Sequence, residues 1–135
     1  MIFVDTGALL ARYLRQDQYH RLATETWQRL EQTPLVTSNF VLDETLTLLG
    51  RRASYAFAAE RFHSIYASNA FTILRPALAD ELAAVKLFTK YADQRVSFTD
   101  ALSFVLMRKQ GIRQVFSFDQ HFSYAGFKLI PPLDV

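Results

Sequence analysis

The chain has 135 residues, 50% of them hydrophobic and 21% charged, which is enough apolar content for a buried core and excludes intrinsic disorder. Fifteen Lys+Arg against thirteen Asp+Glu leave a formal net charge of +2, too near balance to argue for nucleic acid from bulk charge. Cysteine is absent, so disulfides, thiolate catalysis and cysteine-ligated zinc are excluded.

Ile2-Phe3-Val4 is a short apolar run that stops at Asp5-Thr6-Gly7, the pattern of a buried strand turning into a helix, here Ala8 to Leu14. A second helix is predicted from Tyr19 to about Gln32, with Leu22, Ala23, Trp27 and Leu30 on one face. After Pro34, Leu35-Val36-Thr37 reads as a strand, and Ser38 or Asn39 then caps a helix that Gly50 stops. Ser54 caps the next helix, whose inner stripe is Ala58, Phe62, Ile65 and Tyr66. Phe71 to Leu74 is a third strand. Beyond Pro76, Leu78, Leu82, Val85 and Phe88 repeat at helical spacing, with Asp80 and Glu81 in the first turn. Thr99 is predicted to cap a nearly all-apolar central helix from Asp100 to Gln110, ended by Gly111. Val115-Phe116 and Phe127 to Ile130 are the last two strands.

Strands alternating with helices predict parallel pairing through helical crossovers, and continuous apolar strands suit a sheet covered on both faces. The expected fold is α/β, a three-layer α/β/α sandwich with a mainly parallel central sheet, in a single domain over 1–135. No segment reaches the roughly 18–20 apolar residues that span a bilayer, and the N-terminus lacks the basic start of a signal peptide. The expectation is a soluble cytoplasmic protein with no membrane partner.

The acids fall at telling places. Asp5 follows the first strand, Glu44 lies in the helix after the second, Asp100 opens the central helix, and Asp119 follows the strand at Val115. In an open α/β sheet ligands bind outside the carboxyl ends of the strands, so these four acids are placed to converge there. Asp43 shares its helix face with Asn39, Thr47 and Gly50 and reads as solvent; Glu44 shares its face with Phe40, Val41 and Leu48 and reads as inward. Converging carboxylates repel unless a cation or shared protons compensate. Hard oxygen ligands suit Mg²⁺ or Mn²⁺ rather than zinc, and such a centre suits phosphodiester hydrolysis. Taken singly, Asp5 also reads as a turn residue, Asp100 as a helix-dipole acid and Asp119 as a surface turn acid.

Phe3-Val4-Asp5-Thr6-Gly7, the stretch Thr37 to Thr45, the block Ser97-Phe98-Thr99-Asp100-Ala101-Leu102-Ser103 and the block Ser117-Phe118-Asp119-Gln120-His121-Phe122 together resemble the PIN domain, and most of all the VapC-type toxin ribonucleases of prokaryotic toxin–antitoxin pairs. The likeness runs the length of the chain. It implies a PIN fold and a metal-dependent endoribonuclease, with catalytic and metal-binding roles for Asp5, Glu44, Asp100 and Asp119. It suggests the hydroxyls of Thr6 and Thr99 near the metal or its waters. It also implies an RNA substrate, a homodimer, and a cognate antitoxin that covers the acidic groove. The same domain occurs in RNA-processing nucleases outside toxin pairs.

Arg12 and Arg15, and Arg51 with Arg52, are candidates for RNA phosphates; solvated helix-end charges are the plain alternative. Asp93 reads as a loop acid, with a place at the site's edge as the alternative; His121 reads as a structural residue near the sheet end, with a contact to substrate or water as the alternative; His20 and His63 need no function. Trp27, Phe57, Phe62 and Tyr66 read mainly as core. Three rival readings are weaker. A catalytically silent binding module predicts missing acids, and none of the four is missing. A haloacid-dehalogenase phosphatase needs a second acid where Gly7 stands, and a receiver domain needs paired acids after its first strand.

Overall fold

The structure, a computed structural model, describes residues 1–133. Its centre is a sheet of five short strands: β1 (Ile2–Val4), β2 (Leu35–Ser38), β3 (Phe71–Leu74), β4 (Gln114–Phe116) and β5 (Lys128–Ile130). Every pairing is parallel, and the order across the sheet is β3-β2-β1-β4-β5. Phe3, Val4, Val115 and Phe116 are fully buried in the middle of this sheet, as continuous apolar strands covered on both faces must be.

Between β1 and β2 the chain forms α1 (Thr6–Tyr13) and α2 (His20–Arg29), and between β2 and β3 it forms α3 (Asn39–Arg52) and α4 (Tyr55–Ala67). The return from β3 to β4 carries α5 (Leu78–Lys90), a 3₁₀ turn at Ala92–Gln94 and α6 (Phe98–Gln110); the one-turn α7 (His121–Tyr124) leads to β5. The first two crossovers step outward in one direction and the later ones in the other. Right-handed connections therefore put α1–α4 on one face and α5–α7 on the opposite face. The helices pack accordingly, α1 with α2 and α3, α3 with α4, and α6 with α5 and α7. The reversal falls between β1 and β4, which opens a crevice at their carboxyl ends.

Several local expectations are corrected. Gly50 does not stop α3, which continues to Arg52; it is a buried glycine inside the helix, against which the Tyr55 ring packs so closely that a Cβ would lie 2.5 Å from Cδ1. The central helix begins earlier than expected, because Ser97 and not Thr99 is its cap: Ser97 Oγ accepts the Asp100 N–H at 3.0 Å. The turn α7 had no counterpart in the sequence reading. On α5, the stripe Leu78, Leu82, Val85 and Phe88 faces outward, with exposures of 70, 58, 48 and 45%. The inward face instead carries Ala84 and the buried Asp80. Asp80 accepts the Ala77 N–H at 2.8 Å and pairs with Lys109 Nζ of α6 at 3.2 Å. Among the described residues, no helix is long and apolar enough to cross a membrane.

Candidate active site

A cavity of about 570 Å³ opens at the crevice between β1 and β4, and Asp5, Thr6, Glu44, Asp100 and Asp119 all line it. Each reaches it for a local reason. Asp5 is the extended residue that caps α1, and its N–H donates to the Phe116 carbonyl at 3.1 Å, so the β1–β4 pairing fixes its position. Glu44 projects from the first half of α3, half-buried, while its neighbour Asp43 is exposed. Asp100 sits in the first turn of α6, held by the Ser97 cap. Asp119 lies in the loop after β4, with its N–H donating to Ser117 Oγ at 3.1 Å.

The two innermost acids are buried. Asp5 is 4% exposed and Asp100 9%. Burial above all, then the Asp100 carboxylate, pushes the Asp5 carboxyl well above its ordinary value; the hydroxyl of Ser117, donated to Oδ2 at 3.0 Å, partly offsets this. Burial first, then Asp119, raises Asp100 to about 6; His121 offsets part of that rise and Glu44 adds to it. These groups pay to be ionised together. Among the described residues, Asp5 Oδ1 and the Thr6 hydroxyl are buried with no hydrogen-bond partner. Hard oxygen donors gathered in this way, one of them a buried carboxylate oxygen without a partner, fit a divalent cation.

Three predicted contacts fall elsewhere. Thr99 is half-buried in the first turn of α6, where its carbonyl accepts the Ser103 hydroxyl at 2.8 Å, and it does not line the cavity. Arg12 lines a separate groove with Tyr13 and Arg61, and its guanidinium lies over the Trp27 ring, 5.7 Å from the centroid. Arg51 is exposed at the end of α3; its neighbour Arg52 lines the cavity instead. One helical residue is a turn of about 100°, which decides between two adjacent arginines.

The sequence reading missed four features. Arg95 lines the cavity from a left-handed backbone conformation, φ 56°. Tyr19 and Phe118, both at the rim, stack with centroids 4.5 Å apart and planes 2° from parallel. Ser117 bridges Asp5 and Asp119. His121 enters the centre itself: its Nδ1 lies 3.1 Å from Asp119 Oδ1 and 3.4 Å from Asp100 Oδ2. The alternation Ser117-x-Asp119-x-His121 was the available signal.

The fold and this acidic centre define a class, that of metal-dependent nucleases built on an open parallel sheet. The PIN domain model matches residues 2–128, and the chain belongs to that family. A curated relative, the 23S rRNA-specific endonuclease VapC20 of Mycobacterium tuberculosis, is 39% identical over 98% of this chain and 99% of its own length. Ribonuclease VapC26 of the same organism is 28% identical over 90% of each chain. The crystal structure of Mycobacterium tuberculosis VapC20, described as a sarcin–ricin loop cleaving toxin, superposes with a TM-score of 0.86 at 36% identity, covering 94% of this chain and 96% of the other. PAE2754 from Pyrobaculum aerophilum shares the fold at 17% identity, with a TM-score of 0.63 over 96% of this chain and 88% of the other.

Proposed function

We propose that this protein is a divalent-metal-dependent endoribonuclease, the toxin of a VapBC-type pair, which hydrolyses RNA phosphodiester bonds with Asp5, Glu44, Asp100 and Asp119 as its catalytic and metal-binding residues. The observation that carries the reading is the unpartnered, buried Oδ1 of Asp5 in a cavity that four carboxylates share. Mg²⁺ or Mn²⁺, when bound, supplies the positive charge that lets these acids ionise together and that acidifies a water for attack on phosphorus.

The chain's own residues do the rest. Asp5, Glu44, Asp100 and Asp119 would hold the ion, with the Asp119 backbone fixed through Ser117. The Thr6 hydroxyl, without a partner among the described residues, would hydrogen-bond water at the site. Arg52 and Arg95 line the same cavity as the acids and would bind phosphates of the RNA backbone. The stacked Tyr19–Phe118 pair offers an aromatic edge at the rim for an unpaired base. Because hydrolysis uses water, no covalent enzyme intermediate forms. The work is cytoplasmic, and its regulator is a VapB-type antitoxin that covers the acidic cavity.

The active form is a homodimer joined through α5. An exposed stripe of Leu78, Leu82, Val85 and Phe88 favours burial. Its charges allow self-complementary pairing: in an antiparallel arrangement about a two-fold axis through the middle of the stripe, Glu81 of each copy would lie towards Lys86 of the other. An antiparallel second copy satisfies both patterns at once.

The test is cleavage of an RNA panel that includes the sarcin–ricin loop of 23S rRNA, by antitoxin-free protein, with Mg²⁺ or Mn²⁺, with chelator, and beside Asp100→Asn. Metal-dependent cleavage that disappears in a folded Asp100→Asn is the expected result. Equal cleavage by wild type and variant sinks the assignment.

A further inference from the structure

We propose that His121 is itself a ligand of the metal, through Nδ1, and that this nitrogen turns the centre's preference from Mg²⁺ towards Mn²⁺. The proposal rests on the metal-dependent reading above and adds to it a donor of a different chemical kind.

The geometry comes first. Asp100, Asp119 and His121 each offer one ligand atom, and these atoms all lie within 4.8 Å of one another. Nδ1 stands 3.1 Å from Asp119 Oδ1 and 3.4 Å from Asp100 Oδ2. Ligands at right angles on a cation with bonds of about 2.1 Å lie about 3 Å apart, so these are the spacings of neighbours around one ion. A single N–H on Nδ1 can serve only one of the two carboxylates well, whereas a cation takes both oxygens and the nitrogen together.

The ring is also held in place. The His121 N–H donates to Asp119 Oδ1 at 2.9 Å, which ties the start of α7 to the acid beside it. The next residue, Phe122, is fully buried and meets the Phe104 ring of α6 edge-on at 5.1 Å. Thus α6, which carries Asp100, and α7, which carries His121, are locked together by an aromatic contact directly behind the site. An independent sign that a cation belongs here is Asp5 Oδ1, which is buried and has no partner.

Chemistry then sets the preference. Mg²⁺ is a hard ion that keeps to oxygen and gains little from an imidazole. Mn²⁺ also prefers oxygen donors but is softer than Mg²⁺, so one imidazole nitrogen among carboxylates moves the balance between these two ions towards Mn²⁺.

The experiment loads the metal-free full-length protein with Mn²⁺ alone. Pulsed electron paramagnetic resonance reads nitrogen coupling to the ion, and calorimetry reads Mn²⁺ and Mg²⁺ affinities separately. Wild type, His121→Gln and His121→Ala are compared, with circular dichroism to verify the fold. The expected result is nitrogen coupling in wild type and none in either variant. Mn²⁺ affinity should fall about tenfold or more while Mg²⁺ affinity changes less than about threefold. Mn²⁺ bound without nitrogen coupling, coupling that survives in the variants, or equal losses for both ions overturns the proposal alone. No Mn²⁺ binding to wild type overturns the metal-dependent reading and this proposal with it. The wild-type spectrum decides the matter even if a variant fails to fold.

Discussion

Ser117 and Asp5 are 112 residues apart in the chain, yet the Ser117 hydroxyl donates to Asp5 Oδ2 at 3.0 Å. Ser117 Oγ in turn accepts the Asp119 N–H at 3.1 Å. One small side chain thus sets the orientation of two acids on neighbouring strand ends. Ser117→Ala is expected to lower divalent-metal affinity about 10- to 100-fold, as loss of a supporting partner does. It should cost stability by about 1–3 kcal/mol, because the buried partners lose their bond. Calorimetry and chemical denaturation check the two figures separately; undiminished metal affinity would show that Asp5 needs no such anchor.

Without metal, the acidic centre should make the fold less stable as pH rises. The Asp100 carboxyl titrates near 3.8 when unfolded and at about 6 in the fold. Between those values the folded state keeps a proton that the unfolded chain has released, so stability falls from about pH 4 to about pH 6 and stays low above. Asp5 is raised for the same first reason, burial, and acts in the same direction. In chelator, Asp100→Asn should therefore be more stable than wild type at pH 7, by up to about 3 kcal/mol, and no more stable near pH 3.5. Mn²⁺ should stabilise wild type and do much less for the variant. Urea melts at the two pH values check this; parallel curves would mean that the carboxyl is comfortable where it lies.

Arg95 holds a backbone conformation, φ 56°, that suits glycine better than an L-residue. Arg95→Gly should leave stability within about 1 kcal/mol of wild type, since relief of the left-handed turn offsets the freer unfolded chain. RNA binding should nonetheless weaken, with the salt slope smaller by about 1. Arg52→Gln should show the same change in slope. Salt titrations on an inactive Asp100→Asn background measure both, and an unchanged slope would remove the residue from the RNA path.

Leu82→Glu should convert a dimer into a monomer without unfolding it, because Leu82 is 58% exposed in the single chain. Glu81→Lys should weaken the dimer, and Glu81→Lys combined with Lys86→Glu should restore it, since the exchange keeps the two charges opposite. Analytical ultracentrifugation reads all three. A Leu82→Glu variant that stays dimeric would place the interface elsewhere.

The strands and the acid positions were legible because both are local. An apolar run that ends in an acid, as at Val4-Asp5, needs no distant information to read. The inward choice of Glu44 over Asp43 followed from helical spacing alone, and the structure has Asp43 exposed and Glu44 at the cavity. What failed depended on remote partners. The stripe of α5 was visible, but its direction depends on Asp80, a buried acid made tolerable by Lys109, 29 residues away. His121 looked structural because one of its two carboxylate neighbours, Asp100, is 21 residues off in another helix. Gly50 looked like a stop because the Tyr55 ring that covers it comes from the next helix. Adjacent arginines defeated the reading for a simpler reason, since both are helix-end cations and only the rotation about the axis separates them.

The strand order places β1 between β2 and β4, so β1 receives one of its two neighbours only from the segment that starts at residue 114. Asp5 and Glu44 emerge early, whereas Asp100, Ser117, Asp119 and His121 must wait for α6 and β4 to dock. Much of the electrostatic repulsion in the centre is therefore deferred until most of the apolar core is already in place to withstand it. Until β4 docks, the chain holds the acids of its first half but no assembled acidic centre.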